Sequence, residues 1–181
     1  MKKSYKLFFI VLAAILVVVG AILILKGEKK REIVLTDFKY GQEYQFEELI
    51  WGVSLEEVED YLNCSLEPDS ARMPAPEGYA FYNLTDITYI LDENETKAII
   101  EFYEDGLSMI QFNIRPENPN EFFDDIVAVW QESFGPETQF LENKETGGVG
   151  YKWKTDKSML TINHYNSSII ISVGTLEILN K

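Results

Sequence analysis

The chain has 181 residues, of which 30 are Asp or Glu and 16 are Lys or Arg, so its formal net charge is −14. Hydrophobic residues make up 46% of it, which excludes wholesale disorder, and the length fits one domain of about 150 residues with a tail. The single Cys excludes an intramolecular disulfide framework and a multi-cysteine zinc site.

The first element in chain order is an unbroken run of 19 uncharged residues between Leu7 and Leu25. As a helix it would span roughly 28 Å, close to the thickness of the hydrocarbon core of a bilayer. It therefore predicts an uncleaved transmembrane signal-anchor, residues 7–25, behind a short cytoplasmic tail, residues 1–6. The alternative is a cleaved signal peptide, whose apolar core is shorter, about 7–15 residues, and ends at a small-residue cleavage site.

Charge is distributed unevenly along the chain. Residues 1–32 carry a net charge of +5, and residues 33–181 carry −19. We expect a single-pass protein of a bacterial cell membrane with its C-terminal domain outside the cytoplasm, although Lys and Arg flank the apolar run on both sides. Nucleic acid is not expected as a partner, because its binding depends on cations that contact phosphate.

Residues 26–45 are polar and predict a linker, so the extracytoplasmic domain is assigned to residues 46–181. A helix is predicted to begin after Ser54, which can cap it, with Glu57 completing a capping box. Val53 and Val58 have the spacing of a hydrophobic staple, and the helix should end near Asn63.

Four strand candidates follow a loop that is rich in Pro, and the dipeptide Asp105-Gly106 predicts a hairpin between the last two. The candidates are residues 79–82, 87–91, 97–103 and 107–114. A second helix is predicted from Pro119, with Asn118 as its N-cap and Gly135-Pro136 as its stop. Four more strand candidates follow it, residues 138–142, 149–154, 158–165 and 168–176.

This order predicts an α+β fold. An N-terminal transmembrane helix would precede one antiparallel β-sheet domain with two helices packed on one face, made of two helix-plus-strands halves.

Two short motifs carry a resemblance to a known group. The first is Trp51-Gly52-Val53-Ser54-Leu55-Glu56-Glu57-Val58, and the second is Phe134-Gly135-Pro136 with Gly150-Tyr151-Lys152-Trp153 after it. They resemble small exported bacterial helix–sheet modules, the β-lactamase-inhibitor-protein-like fold and the β-barrel-assembly lipoproteins. The resemblance implies a non-catalytic binding unit that presents an antiparallel sheet. Unlike the lipoproteins, this chain lacks a lipidated Cys.

Three groups of residues resemble known kinds of chemical site. The acidic residues 92–95 lack the Gly and Glu of a calcium-binding EF-hand loop, and residues 147–150 lack the spacing of a phosphate loop. Cys64 and His164 could act as nucleophile and base, but no local pattern marks either residue. We therefore expect no catalytic residue, no metal site and no small-molecule cofactor.

Alternation along the strands separates two faces of the predicted sheet. The face toward the helices would carry Ala98, Ile100, Phe102, Ile110, Phe112, Ile114, Tyr151, Trp153, Leu160 and Ile162. The opposite face is the candidate partner-binding face and would carry Ile99, Tyr103, Met109, Met159, Tyr165 and Ile170.

Aromatic, Met and polar side chains together are typical of a protein-binding surface. The sequence predicts a membrane-anchored extracytoplasmic binding or adaptor module, not an enzyme, whose partner is another envelope protein. The alternative is an envelope hydrolase that uses an acidic-residue active site.

Overall fold

The computed structural model describes residues 29–143 and 147–177. The two helices of this part are α1 (Leu55–Leu62) and α2 (Pro119–Phe134). The strands are β1 (Lys29–Glu32), β2 (Lys39–Tyr40), β3 (Glu43–Tyr44), β4 (Leu66–Pro68), β5 (Tyr79–Leu84), β6 (Ile87–Leu91), β7 (Asn94–Thr96), β8 (Ala98–Tyr103), β9 (Gly106–Ile114), β10 (Gln139–Asn143), β11 (Gly148–Lys154), β12 (Ser158–Tyr165) and β13 (Ser168–Thr175). Two 3-10 turns, Leu35–Phe38 and Ser70–Arg72, complete the list.

Eight strands form the main sheet, in the order β10-β11-β12-β13-β9-β8-β5-β4, and all neighbours in it are antiparallel. It consists of two four-stranded units, one after each helix, that meet where β13 pairs with β9. At this seam Ile171 lies opposite Phe112 and Val173 lies opposite Ile110. The centre of the sheet is therefore built from strands that are distant in sequence.

The remaining strands correct the predicted fold class. β1 pairs in parallel with β6, which pairs with β7 in a separate three-stranded sheet, and β2 and β3 form a two-stranded one. The prediction of one antiparallel sheet is therefore wrong, because the hairpin β6–β7 leaves the main sheet between β5 and β8 and pairs with a strand that the sequence analysis did not predict.

The membrane assignment is corrected as well. No helix within residues 29–143 and 147–177 is both long enough and apolar enough to cross a bilayer. This finding contradicts the transmembrane part of the fold class and the single-pass cell-membrane location. The predicted tail, residues 1–6, and the predicted span, residues 7–25, lie outside the described residues.

Helix α1 begins and ends through specific hydrogen bonds. The backbone N–H of Glu57 donates to Ser54 Oγ (3.4 Å), and the backbone N–H of Ser54 donates to Glu57 Oε2 (2.8 Å), so the predicted capping box is confirmed. At the other end Arg31 Nη2 donates to the carbonyl oxygen of Leu62 (2.8 Å). Strand β1 thus supplies a cation to the negative end of the helix dipole.

Helix α2 begins at the predicted Pro119 and ends at Phe134, because its C-cap Gly135 has a φ of 85° that takes the chain out of the helix. Asn118 occupies the N-cap position but its side chain makes no capping hydrogen bond. The helix is fixed by Trp130, whose Nε1 donates to the carbonyl oxygen of Leu35 (2.8 Å) and whose ring packs edge-on against Trp153 (5.4 Å between centroids). It therefore lies over β11, β12 and β13 of the main sheet.

Residues 33–49 complete the layer that α2 begins. Phe38 and Phe46 pack against Phe112 of β9, with ring centroids 6.1 Å and 4.9 Å away, and Tyr89 of β6 packs there as well (5.3 Å). The polar composition of residues 26–45 predicts a linker, but from Lys29 onward the chain contributes strands and buried aromatic rings to the folded domain. We call the side of the main sheet that faces this layer the inner face, and the opposite side the outer face.

The hairpin between β8 and β9 turns one residue earlier than predicted. Glu104 and Asp105 have φ of 47° and 67°, so they are the two central turn residues, and Gly106 is the first residue of β9. Gly106 is required for another reason: a Cβ there would lie 3.1 Å from the Cα of Gly52. The close approach lets the backbone of Gly52 pair with Leu107.

Candidate functional site

The strand register places the whole predicted partner-binding set on the outer face. Its members are Ile99 and Tyr103 on β8, Met109 on β9, Met159 and Tyr165 on β12, and Ile170 on β13. They do not form one continuous patch. Tyr103 lies at one end of the sheet beside Tyr79, and Tyr165 lies at the opposite corner, where it pairs with Ser168.

The centre of the outer face is formed by small residues. Gly174 lies between Met109 and Met159 in the register, and a Cβ on it would be 2.8 Å from the carbonyl oxygen of Ser108. Ser172 and Thr161, the next outer-face pair toward the middle of the strands, are small and buried. Met159 is buried, at 9% exposure, so a partner approaching here would meet a floor of small side chains with the half-buried, flexible thioether of Met109 at its side.

A line of polar contacts crosses the outer face beside this floor. Arg72, in the loop after β4, donates to Gln111 Oε1 on β9, and Gln111 Nε2 donates to Ser172 Oγ on β13 (3.2 Å). The Arg72 guanidinium also lies over the ring of Phe81 (5.2 Å) and 3.5 Å from Asp69. Sequence reasoning missed this line, because only folding brings the Pro-rich loop onto the sheet.

Glu101 is a carboxylate of the outer face that lies partly out of solvent. Burial raises its pKa, while the hydroxyl of Ser108, which donates to Oε1 (2.9 Å), and the charge of Arg72 act in the opposite direction. A hydrolase of the predicted alternative kind would pair two carboxylates in a cleft. Glu101 instead contacts the hydroxyl of Ser108 and lies near the guanidinium of Arg72.

Two glycines on β11 leave room for side chains of β12: Gly148 for Tyr165 and Gly150 for Asn163. A Cβ on Gly148 would lie 2.4 Å from the ring of Tyr165, and a Cβ on Gly150 would lie 2.4 Å from Asn163 Oδ1. The side chains of Tyr165 and Asn163 therefore pack against β11, and they border a shallow cleft of about 330 Å³ beside β10. The ring of Tyr165 packs against the backbone of β11 at Gly148, so only part of the ring is accessible to a partner.

Cys64 and His164 are not brought together. Burial, with the charges of Glu59 and Asp86, raises the pKa of the Cys64 thiol to about 11, which disfavours the reactive thiolate. His164 is on β12, where Nε2 is 2.8 Å from the carbonyl oxygen of Asn166. Four strands of the main sheet separate β12 from β4, which Cys64 precedes.

The segment 92–95 lies at the end of the hairpin β6–β7, where Asp92 and Glu93 form the turn and Asn94 and Glu95 begin β7. Asp92 and Glu93 have φ of 46° and 65°, and the Asn94 amide donates to the carbonyl oxygen of Asp92 (2.7 Å). In the part of the chain that the structure describes, no group of three or more His, Cys, Asp or Glu side chains could hold a metal ion.

No family model and no curated protein matches the chain. Among solved structures, it is similar to a DUF4309 family protein, YjgB, from Bacillus subtilis. The two share 13% sequence identity with a TM-score of 0.43, over 78% of this chain and 90% of that one. A likeness of that size assigns neither a family nor a function, and the comparisons leave the resemblance to β-lactamase-inhibitor-protein-like modules and β-barrel-assembly lipoproteins untested.

Proposed function

We propose that the domain is a non-catalytic binding module and that its outer sheet face docks another protein. The observation that carries the proposal is the contrast between the two sides of one sheet. The inner face is closed by α2 and by residues 33–49, whereas the outer face presents half-buried Met109, Ile99 and Ile170 between polar side chains.

The composition of the outer face favours a protein as the partner. Thioether, aromatic and aliphatic side chains next to satisfied polar groups are typical of the centre of a protein interface. The partner would place apolar side chains over the floor at Gly174, and would offer hydrogen-bonding groups to the line formed by Arg72, Gln111 and Ser172. The net charge of −19 on residues 33–181 disfavours nucleic acid.

Position-dependent photo-cross-linking in native cells tests this proposal. p-Benzoylphenylalanine replaces Met109 on the outer face or, as the control, Val129, which is 37% exposed on α2. We expect a discrete cross-linked protein from position 109 and none from position 129. A second change, Ile170→Asp, should abolish the product, and Val129→Asp, the same change on the other side of the domain, should leave it intact.

Equal cross-linking from both positions, or a product that persists with Ile170→Asp, would contradict the proposal. Near-UV circular dichroism shows whether each variant is folded. If Ile170→Asp unfolds, Asn113→Trp replaces it as a steric block, because Asn113 is exposed and lies opposite Ile170 on β9.

A further inference from the structure

A cleft of about 250 Å³ lies at the end of the main sheet where Tyr103 is located. It forms where residues 51–52 meet the β8–β9 hairpin and the end of β13. The residues that line it are Trp51, Gly52, Tyr103, Glu104, Gly106, Leu107, Thr175 and Glu177. Small-molecule sites usually measure about 300–1,000 Å³, so this cleft is better matched to one long side chain than to a cofactor.

Two aromatic walls of the cleft are held in place by the fold. Trp51 Nε1 donates to the carbonyl oxygen of Tyr44 (3.1 Å), which fixes the indole. The ring of Tyr103 packs edge-on against Tyr79 (4.9 Å between centroids), and a Cβ on Gly78 would lie only 2.9 Å from it. A ligand that enters between these rings would not have to order them, which lowers the entropic cost of binding.

The base of the cleft is equally constrained. The backbone N–H of Gly52 donates to the carbonyl oxygen of Leu107 (2.9 Å). The backbone N–H of Leu107 donates to the carbonyl oxygen of Val53 (2.8 Å). These bonds join the segment that carries Trp51 to the strand that follows Tyr103. The absence of side chains at Gly52 and Gly106 allows the approach.

The charge of the cleft has one sign. Glu104 and Glu177 contribute carboxylates, none of the described lining residues is basic, and neither carboxylate forms an ion pair with a described residue. The charge of Glu104 is the first cause of the raised pKa of Tyr103, so this carboxylate lies close to the phenol. Aromatic faces with nearby carboxylates attract an organic cation.

We propose that this cleft binds an arginine side chain of the protein that docks on the outer face, an inference that rests on the proposed function. A planar guanidinium can stack on Trp51 or Tyr103 and donate several hydrogen bonds to Glu104 and Glu177. Tyr103 belongs to both surfaces, so the cleft continues the outer face at its end. The acidic domain is complementary in charge to such a partner.

The test is an NMR titration of the purified full-length protein with Nα-acetyl-arginine methylamide, and with the isosteric, uncharged citrulline analogue as the matched probe. The readout is the indole N–H signal of Trp51. Trp130 and Trp153 are buried, at 0% and 1% exposure, and provide internal references. We expect a saturable shift of Trp51 with the arginine probe and binding at least about tenfold weaker with citrulline.

The double variant Glu104→Gln/Glu177→Gln should weaken arginine binding about tenfold or more. Glu121→Gln/Glu132→Gln makes the same change in net charge on exposed positions of α2 and should leave the affinity unaltered. Equal binding of the two probes, equal weakening in the two double variants, or no shift of Trp51 would overturn the assignment.

The outcomes separate this proposal from the one on which it rests. If Trp51 responds as expected but position 109 gives no cross-link, the cleft is an arginine site and the outer-face docking is wrong. If position 109 cross-links but Trp51 does not respond, the outer face docks a partner and the cleft assignment is lost.

Discussion

The two faces of the main sheet are made by the same strands but differ in what their side chains do. Along β9, Ile110, Phe112 and Ile114 on the inner face are fully buried, whereas Met109 and Gln111, which alternate with them, are half-buried on the outer face. Alternation alone produces this difference, because successive side chains of a strand point to opposite sides. We therefore expect the inner face to carry most of the stability.

The largest expected effect lies at Phe112. Its ring packs against Phe38, Phe46 and Tyr89, so Phe112→Ala should remove contacts from three segments and leave a cavity. We expect it to lower the free energy of unfolding by about 3–5 kcal/mol. The measurement is equilibrium denaturation with urea, followed by near-UV circular dichroism.

The matched control is Met109→Ala, three residues earlier on the same strand. Because Met109 is only half-buried, whereas Phe112 is fully buried, the cost should be about 1 kcal/mol or less. Comparable losses of unfolding free energy for the two variants would contradict the prediction, because they would show that the outer face is packed as tightly as the inner face.

The same contrast explains which features could be predicted from the sequence. Local signals gave both helices, because the capping box at Ser54 and the Pro and Gly that bound α2 act within one or two turns. The alternation of residues along β8, β9 and β12 predicted which positions lie on each face of the sheet, and the strand register agrees. Where one face of a strand is buried, a shift by one residue would expose every apolar side chain, so the pattern is strongly constrained.

The features that were missed depend on contacts between distant segments. Strands β1, β2 and β3 have two to four residues and are mostly polar, so no periodicity marks them. Phe38 and Phe46 are buried because Phe112 and Tyr89 are next to them in space, which no local pattern shows. The cleft at Trp51 likewise needs Gly52 to meet Gly106 across the fold.

A smaller effect is expected at the N-terminus of α1, which packs Val58 and Leu62 into the core. Ser54→Ala removes the side chain that accepts the N–H of Glu57 and should lower the free energy of unfolding by about 1 kcal/mol. Urea denaturation measures the change. Ser54→Asp provides the control, because an Asp side chain can also cap a helix and should restore most of the loss.

An unchanged midpoint for Ser54→Ala would mean that the capping box does not contribute to folding. Comparing the losses in unfolding free energy of Ser54→Ala and Phe112→Ala shows whether buried rings or the helix cap contribute more to the stability of the domain. If both predictions hold, the buried rings supply most of the stability, and the cap supplies a smaller, local share.

The smallest expected effect concerns the pH dependence of stability at two carboxylates. Burial raises the pKa of Glu101 on the outer face, whereas hydrogen bonds from Ser158 and Thr155 lower the pKa of Glu43. A raised pKa in the folded state means that the stability Glu101 contributes is present below its unfolded pKa and is lost as the pH rises through the folded value. For Glu43 the stability is present above its unfolded pKa and is lost as the pH falls through the folded value.

The variants Glu101→Gln and Glu43→Gln should therefore respond to pH with opposite signs. Between about pH 4 and about pH 7, the urea midpoint of Glu101→Gln should rise relative to wild type, and that of Glu43→Gln should fall. Both substitutions keep an oxygen that can accept the hydroxyl hydrogen bonds, which are 2.9 Å from Ser108 to Glu101 and 2.6 Å from Ser158 to Glu43. Parallel pH profiles for the two variants would contradict the prediction, because they would show that folding shifts the pKa values of Glu101 and Glu43 in the same direction.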